Sequence, residues 1–324
     1  MPIEKIDESS APIITKPVEL ANNSATFLSD LSPGDKPWDK HRRNVDRVAS
    51  LYRGSKFQSY SDRMTFCSEF LKFGLVDDNA EAMKLRLRAA RFCRVRHCPV
   101  CQWRRSLMWK AKAYKVLPKI VSMYPKHRWL FLTLTVRNCP IAELKSTLTQ
   151  MNKAFQRFSQ VKAYPADGWL RSTEVTRGKD GSAHPHFHCL LMVPPGYFAG
   201  KNYLRQSAWV EMWKKAMRLD YDPILDVRAI KEGKQPMGLI PEILKYCTKE
   251  SDLTADRDWL IEYTKQMHKM RCVATGGVLK QFLRELEDEP EDLIGTGEDL
   301  IDEDEFNLFF NWVRGGDRRY KLVE

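Results

Sequence analysis

Ala183-His184-Pro185-His186-Phe187-His188-Cys189-Leu190-Leu191-Met192-Val193 is the stretch from which the fold can be read. Its histidines alternate and its tail is apolar, the pattern of a β-strand. Strand side chains point alternately to two faces, so His184, His186 and His188 share one face. Phe187, Cys189, Leu191 and Val193 then face a core on the other. Two imidazoles at i and i+2 can reach one divalent cation, histidine being the commonest nitrogen ligand. The chain has seven histidines in 324 residues. Three of them alternating within five positions is not what an ordinary solvated strand supplies.

Working outward, Trp169 to Thr176 (WLRSTEVT) is a second strand, joined to the first by the basic turn RGKDGSA. The two form a hairpin. Glu174 then lies beside the histidine pair and completes a mixed nitrogen and oxygen sphere suited to Mg²⁺ or Mn²⁺. The plain alternative for such a glutamate is solvation. Arg128 to Val136 (RWLFLTLTV) alternates Leu130, Leu132, Leu134 and Val136 against Trp129, Phe131, Thr133 and Thr135, a half-buried strand. Ile141 to Phe158 repeats apolar residues at three and four and is a helix packed on the sheet. Residues 201–219 read as another helix and Pro223 to Ile230 as a strand. Residues 106–126 read as a basic amphipathic helix broken near Pro118, and 255–284 as further helix up to Gly276-Gly277.

A second stretch, Phe92-Cys93-Arg94-Val95-Arg96-His97-Cys98-Pro99-Val100-Cys101-Gln102-Trp103-Arg104-Arg105, carries a knuckle of two cysteines, Cys98 and Cys101. That spacing lets two thiolates of one turn share a tetrahedral Zn²⁺. Cys93 is a third ligand, and either Cys67 or His97 the fourth. Free buried thiols are the plain alternative. The flanking Arg94, Arg96, Arg104 and Arg105 suit phosphate contacts. Eight cysteines placed this way fit a reducing cytosol and metal binding better than a disulfide framework.

A third stretch, Pro241-Glu242-Ile243-Leu244-Lys245-Tyr246-Cys247-Thr248-Lys249-Glu250, reads as a helix with Pro near its first turn. Glu242 and Tyr246 would be i, i+4 neighbours with Lys249 a turn later.

The formal net charge is +11, and residues 285–305 hold twelve acids with no Lys or Arg. Outside that segment 53 basic residues face 30 acidic ones. A surplus of that size points to a polyanionic partner, most often nucleic acid. No apolar run approaches the roughly 18 residues of a membrane span, and Met1 to Leu20 has no secretory pattern.

Phe131-Leu132-Thr133-Leu134-Thr135, His184-Pro185-His186-Phe187-His188, Glu242 to Lys249 and the cysteines with Trp103-Arg104-Arg105 stand in this order over residues 60 to 253. In that order and spacing the chain resembles the rolling-circle plasmid replication initiators of the HUH endonuclease superfamily, the single-tyrosine group with a zinc knuckle. The resemblance implies an α+β fold with a central antiparallel sheet of about five strands flanked by helices. An N-terminal zinc-binding element and a helical C-terminal region would complete it. Tyr246 would nick one strand at a plasmid or phage origin, leaving a 5′-phosphotyrosine and a 3′-OH primer, and the product strand would be closed at termination. Glu242 is similar to the general base that lets water finish the last cleavage, and Lys249 would neutralise charge at the scissile phosphate. His186, His188 and Glu174 would hold the catalytic Mg²⁺ or Mn²⁺, and Cys67, Cys93, Cys98 and Cys101 the structural Zn²⁺. Partners would be single- and double-stranded origin DNA, a host helicase and the replication machinery of a bacterial cytoplasm, with no membrane.

The chain then divides into a disordered segment (1–40), a zinc-binding, DNA-contacting helical region (41–125), the nuclease core (126–253), a helical extension (254–284) and an acidic linker with tail (285–324). Two rival readings remain. Another HUH enzyme, a transposase or relaxase, would show a second tyrosine or a third metal histidine. A non-catalytic zinc repressor would explain charge and cysteines but leave the histidine strand idle.

Overall fold

The computed structural model describes residues 26–77, 83–231, 236–245, 247–281, 284 and 307–323. It divides into two compact units, Met1–Arg104 with Asp292–Glu324, and Arg105–Glu291.

The first unit holds α1 (Leu28–Leu31), α2 (Pro37–Tyr52), α3 (Gln58–Thr65), β1 (Phe70–Asp77) and β2 (Met83–Ala90). Near its boundary α4 (Pro99–Met123) begins. The described part of 26–40, expected to lack structure, is folded, because Leu28 and Trp38 are fully buried. Trp38 packs against Phe73, Trp103 and Tyr320. The region expected to be helical also contains the β1–β2 hairpin, paired antiparallel with a bulge at Lys72/Phe73.

The second unit is built on β3 (Arg128–Thr135), α5 (Leu144–Gln160), β4 (Gly168–Arg177), β5 (Ala183–Val193), α6 (Gln206–Met217) and β6 (Leu225–Ala229). After these come α7 (Ile240–Ile243), α8 (Glu250–Ala255), α9 (Arg257–Gln266) and β7 (Val273–Gly277). The five strands form one sheet in the order β6-β3-β5-β4-β7, every pairing antiparallel. The histidine strand is central. One face packs on α5 and α6, with Phe187 against Phe155 and Trp213. The other is covered at one end by Trp109, Ala113, Leu117 and Ile120 of α4 and by Ile240 and Ile243 of α7. Both faces of β3 are therefore buried there, so it is not the half-buried strand expected. The packing of Leu117 and Ile120 also carries α4 straight through Pro118, where a break was expected. An internal proline costs a helix roughly 3 kcal/mol, an amount that burial of two large aliphatic side chains offsets.

The C-terminal region expected to be helical is helical only in part. Val273–Gly277 is the fifth strand of the sheet, beside β4. Its glycines are contact residues: a Cβ on Gly276 would enter the Trp169 indole, and Gly277 takes φ +59° against the Asp167 carbonyl. β8 (Asn307–Trp312) and β9 (Tyr320–Val323) return to the first unit and make a sheet in the order β2-β1-β8-β9. The acidic run at 285–305 lies outside the described residues. Among the described residues no helix is long and apolar enough to cross a membrane.

Candidate functional site

Strand register builds the first cluster. His186 stands opposite Glu174 of β4 and Thr135 of β3, and His188 opposite Ser172 and Thr133. His186 Nε2 and His188 Nε2 approach the same carboxylate oxygen, Glu174 Oε2, at 3.1 and 2.9 Å. The three residues are buried and offer ligand atoms all within 4.8 Å of one another, so together they could hold a metal ion. Each imidazole is oriented from behind: His188 Nδ1 lies 3.3 Å from Thr133 Oγ1, and His186 Nδ1 lies 3.2 Å from the His184 carbonyl oxygen. A partner on Nδ1 leaves Nε2 aimed at the ligand position, as metal-binding histidines require. The Phe131 ring stacks on His188 at 5.5 Å. His184 shares the face but is not among the three grouped residues.

Sequence reading missed Lys245, whose Nζ lies 2.8 Å from Glu174 Oε2. Burial alone raises the Glu174 carboxyl, but hydrogen bonds from His186, His188 and Lys245 outweigh it and hold the group well below the usual carboxylate range. The group is an anion shared by three nitrogen donors.

Lys245 reaches it because the expected helix is not formed. α7 stops after four residues, with Ile240, Ile243 and Leu244 buried, and Ser106 Oγ donates to the Leu244 carbonyl at 2.6 Å. The backbone then runs alongside β4, where Val175 N donates to the Cys247 carbonyl and Thr248 Oγ1 donates to the Val175 carbonyl. Pairing with the sheet thus takes the place of helical hydrogen bonds. Glu242 and Lys249 are exposed and do not belong to one helix; Lys249 is the extended residue ahead of α8. Tyr246 lies outside the described residues. The signal for Lys245 was the sheet-pairing Thr248, which helix periodicity had masked.

The second cluster, in the first unit, joins Cys67, Cys93, Cys98 and Cys101, all buried. Cys67 is the fourth member; His97 is buried outside the group. Sulfur separations are 3.5 Å (Cys98–Cys67), 3.6 Å (Cys67–Cys101) and 3.7 Å (Cys93–Cys101). Tetrahedral metal–sulfur bonds of about 2.3 Å place sulfurs about 3.8 Å apart, so the donor set fits such an ion. The Cys98 thiol is pushed up by burial and by the neighbouring sulfurs of Cys101, Cys67 and Cys93. Four clustered thiols become thiolates only beside a cation. Of the flanking arginines expected on phosphate, Arg104 and Arg105 are buried, Arg104 lying 5.6 Å from the Trp38 ring centre. Cys247 and Cys272 are the one disulfide pair among the described residues, joining the segment after α7 to the residue before β7, while the other six cysteines form no disulfide.

The model of a replication-protein family matches residues 84–321. The chain is 34% identical to a "Protein rep" of Streptococcus pneumoniae serotype 2, over 81% of this chain and 87% of that protein. It is 33% identical to a "Protein rep" of Lentilactobacillus hilgardii, over 87% and 94%. A "Replication protein" of Staphylococcus aureus is 37% identical over 63% of this chain and 95% of its own length. No solved structure matches the chain.

Proposed function

This chain belongs to the replication-protein family of rolling-circle plasmid initiators, and we propose that it acts by cutting one strand of its origin with Tyr246. The observation that carries this reading is the convergence of His186, His188 and Lys245 on Glu174 Oε2. A Mg²⁺ or Mn²⁺ held by His186, His188 and Glu174 would supply Lewis-acid polarisation of a phosphodiester oxygen. The Tyr246 hydroxyl gives up its proton and attacks phosphorus. A phosphotyrosine bond to the 5′ side forms, the bond to the 3′ oxygen breaks, and that oxygen takes a proton to become the 3′-OH primer. The phosphotyrosine conserves the bond energy for rejoining.

Glu242 activates the water that completes the last cleavage, and its exposure after Pro241 suits a base working from solvent. Lys245 and Lys249 offset charge at the scissile phosphate, Lys245 from its place on Glu174. Zn²⁺ in the four-cysteine cluster is structural, since four protein sulfurs leave no ligand position for substrate. Single- and double-stranded origin DNA, a host helicase and the replication machinery of the bacterial cytoplasm complete the reading.

The test mixes end-labelled origin oligonucleotides with wild type or Tyr246→Phe, with and without Mg²⁺ or Mn²⁺. A DNA-linked protein band that needs both metal and Tyr246 is expected. A covalent band from the Phe variant would remove Tyr246 from its role. Binding without any cutting would favour a non-catalytic DNA-binding protein.

A further inference from the structure

The sheet of the first unit has one face that the cutting reaction does not use. Its inward positions Leu71, Phe73, Leu308, Phe310, Trp312 and Tyr320 are buried. The alternate positions make two rows across β1, β8 and β9: Phe70–Asn311–Lys321 and Lys72–Phe309–Val323. Phe70 is 40% and Phe309 41% exposed, unusual for phenylalanines in regular strands. Lys72 stands directly opposite Phe309 with its Nζ 5.5 Å from the ring centre. None of the six is acidic, and Lys84 and Arg86 share the face by register with β1.

From this geometry we propose that the face is a stacking platform for single-stranded DNA, with Phe70 and Phe309 each taking a base and Lys72 and Lys321 the intervening phosphates. The proposal rests on the reading that the chain works on origin DNA. Exposed rings beside lysines on a sheet surface bind single strands by stacking and charge, since every base offers a π-face. Phe70 and Phe309 are diagonal neighbours on adjacent strands, about 7–8 Å apart by sheet geometry. That is roughly twice the 3.4 Å spacing of nucleotides along a duplex strand, so the two rings suit an unstacked strand and not a helix. Lys72 caps Phe309 in the absence of DNA and moves to phosphate when a base replaces it. Such a platform would hold single-stranded origin DNA.

The experiment follows anisotropy of a fluorescent twenty-nucleotide oligothymidine with the full-length protein, over a range of salt. Phe70→Leu and Phe309→Leu are each expected to weaken binding about tenfold, and Phe309→Trp to restore it. Lys72→Gln lowers the slope of log affinity against log salt by about 0.7, whereas the Leu variants leave the slope as it was. Tyr203→Leu, a 52% exposed aromatic of the other unit, is the control that keeps full affinity. Wild-type affinity in the Phe70→Leu/Phe309→Leu double variant overturns the platform, as does wild-type protein that binds only duplex. A change of oligomeric state without loss of DNA affinity overturns it in favour of a second copy of the chain. Should the platform variants lose binding while no form of the protein cuts DNA, the cutting reaction fails and the platform stands.

Discussion

The sulfurs of Cys67, Cys93, Cys98 and Cys101 are grouped with one another, whereas Glu174, His186 and His188 face a fourth group, Lys245, that is one-third exposed. Both clusters are buried and both could hold an ion, yet their surroundings differ. A tetrathiolate satisfies an ion completely, so its binding energy goes into folding. Two imidazoles and a carboxylate leave positions open, and beside them stands a cation able to meet a phosphate. The cysteine cluster also joins distant chain, Cys67 from the loop before β1, Cys93 and Cys98 from the approach to α4, and Cys101 from its first turn. The second cluster draws its three members from one hairpin that is already paired.

The comparison breaks first at Cys98→Ser. Structural zinc sites bind with apparent energies of about 10–16 kcal/mol, so this substitution is expected to unfold the first unit. The checks are loss of bound zinc and loss of its part of the thermal transition. An unchanged transition would mean that the cluster does not hold the fold. Glu174→Gln is expected to do the reverse. Cutting of an origin oligonucleotide falls about a thousandfold, from the several kcal/mol a metal ion contributes to the transition state, while circular dichroism stays as in wild type. Retained cutting in Glu174→Gln would place the metal elsewhere.

Much of this contrast could be read in the sequence. Period-two alternation in Ala183–Val193 gave the histidine face, and the turn after Thr176 gave Glu174 its position, because strand pairing is fixed by local pattern. Spacing likewise brought Cys93, Cys98 and Cys101 together. What local pattern does not carry is competition from tertiary structure. Glu242 to Lys249 reads as a helix after Pro241, but Val175 of β4 donates to the Cys247 carbonyl and accepts from the Thr248 hydroxyl, and the helix ends at Ile243. Val273–Gly277 is short and glycine-rich, and becomes a strand only because Trp169 and Asp167 need partners without side chains. The tail strand β8 depends on pairing with β1 across more than 200 residues, which no window of sequence contains, and β9 is held on β8.

The lysines sharpen the comparison at a finer level. Lys245→Met is expected to slow cutting about a hundredfold, as for loss of one preorganised donor to developing charge, and Lys249→Met by much less. Single-turnover rates at saturating DNA measure both. A larger effect at Lys249 would mean that the chain around Tyr246 rearranges on DNA into the helix that the sequence suggested.

The smallest expected effect comes from behind the metal residues. The Thr133 hydroxyl meets His188 Nδ1, and so fixes which nitrogen of the ring faces Glu174. Partners of this kind typically account for 10–100-fold in metal affinity, and the 3.3 Å separation argues for the lower end. Thr133→Val keeps the β-branched shape that a strand accepts. The expected result is therefore a curve of cutting rate against Mn²⁺ that moves to about tenfold higher concentration and reaches the wild-type plateau. Thr135 is the internal control, because its hydroxyl donates to the Ile224 carbonyl and not to a histidine. Thr135→Val should leave the metal requirement in place and lower only the melting temperature. If both variants shift the metal curve alike, orientation of His188 is a property of the whole sheet and not of one hydroxyl, and the contrast between a closed and a tuned cluster loses its finest distinction.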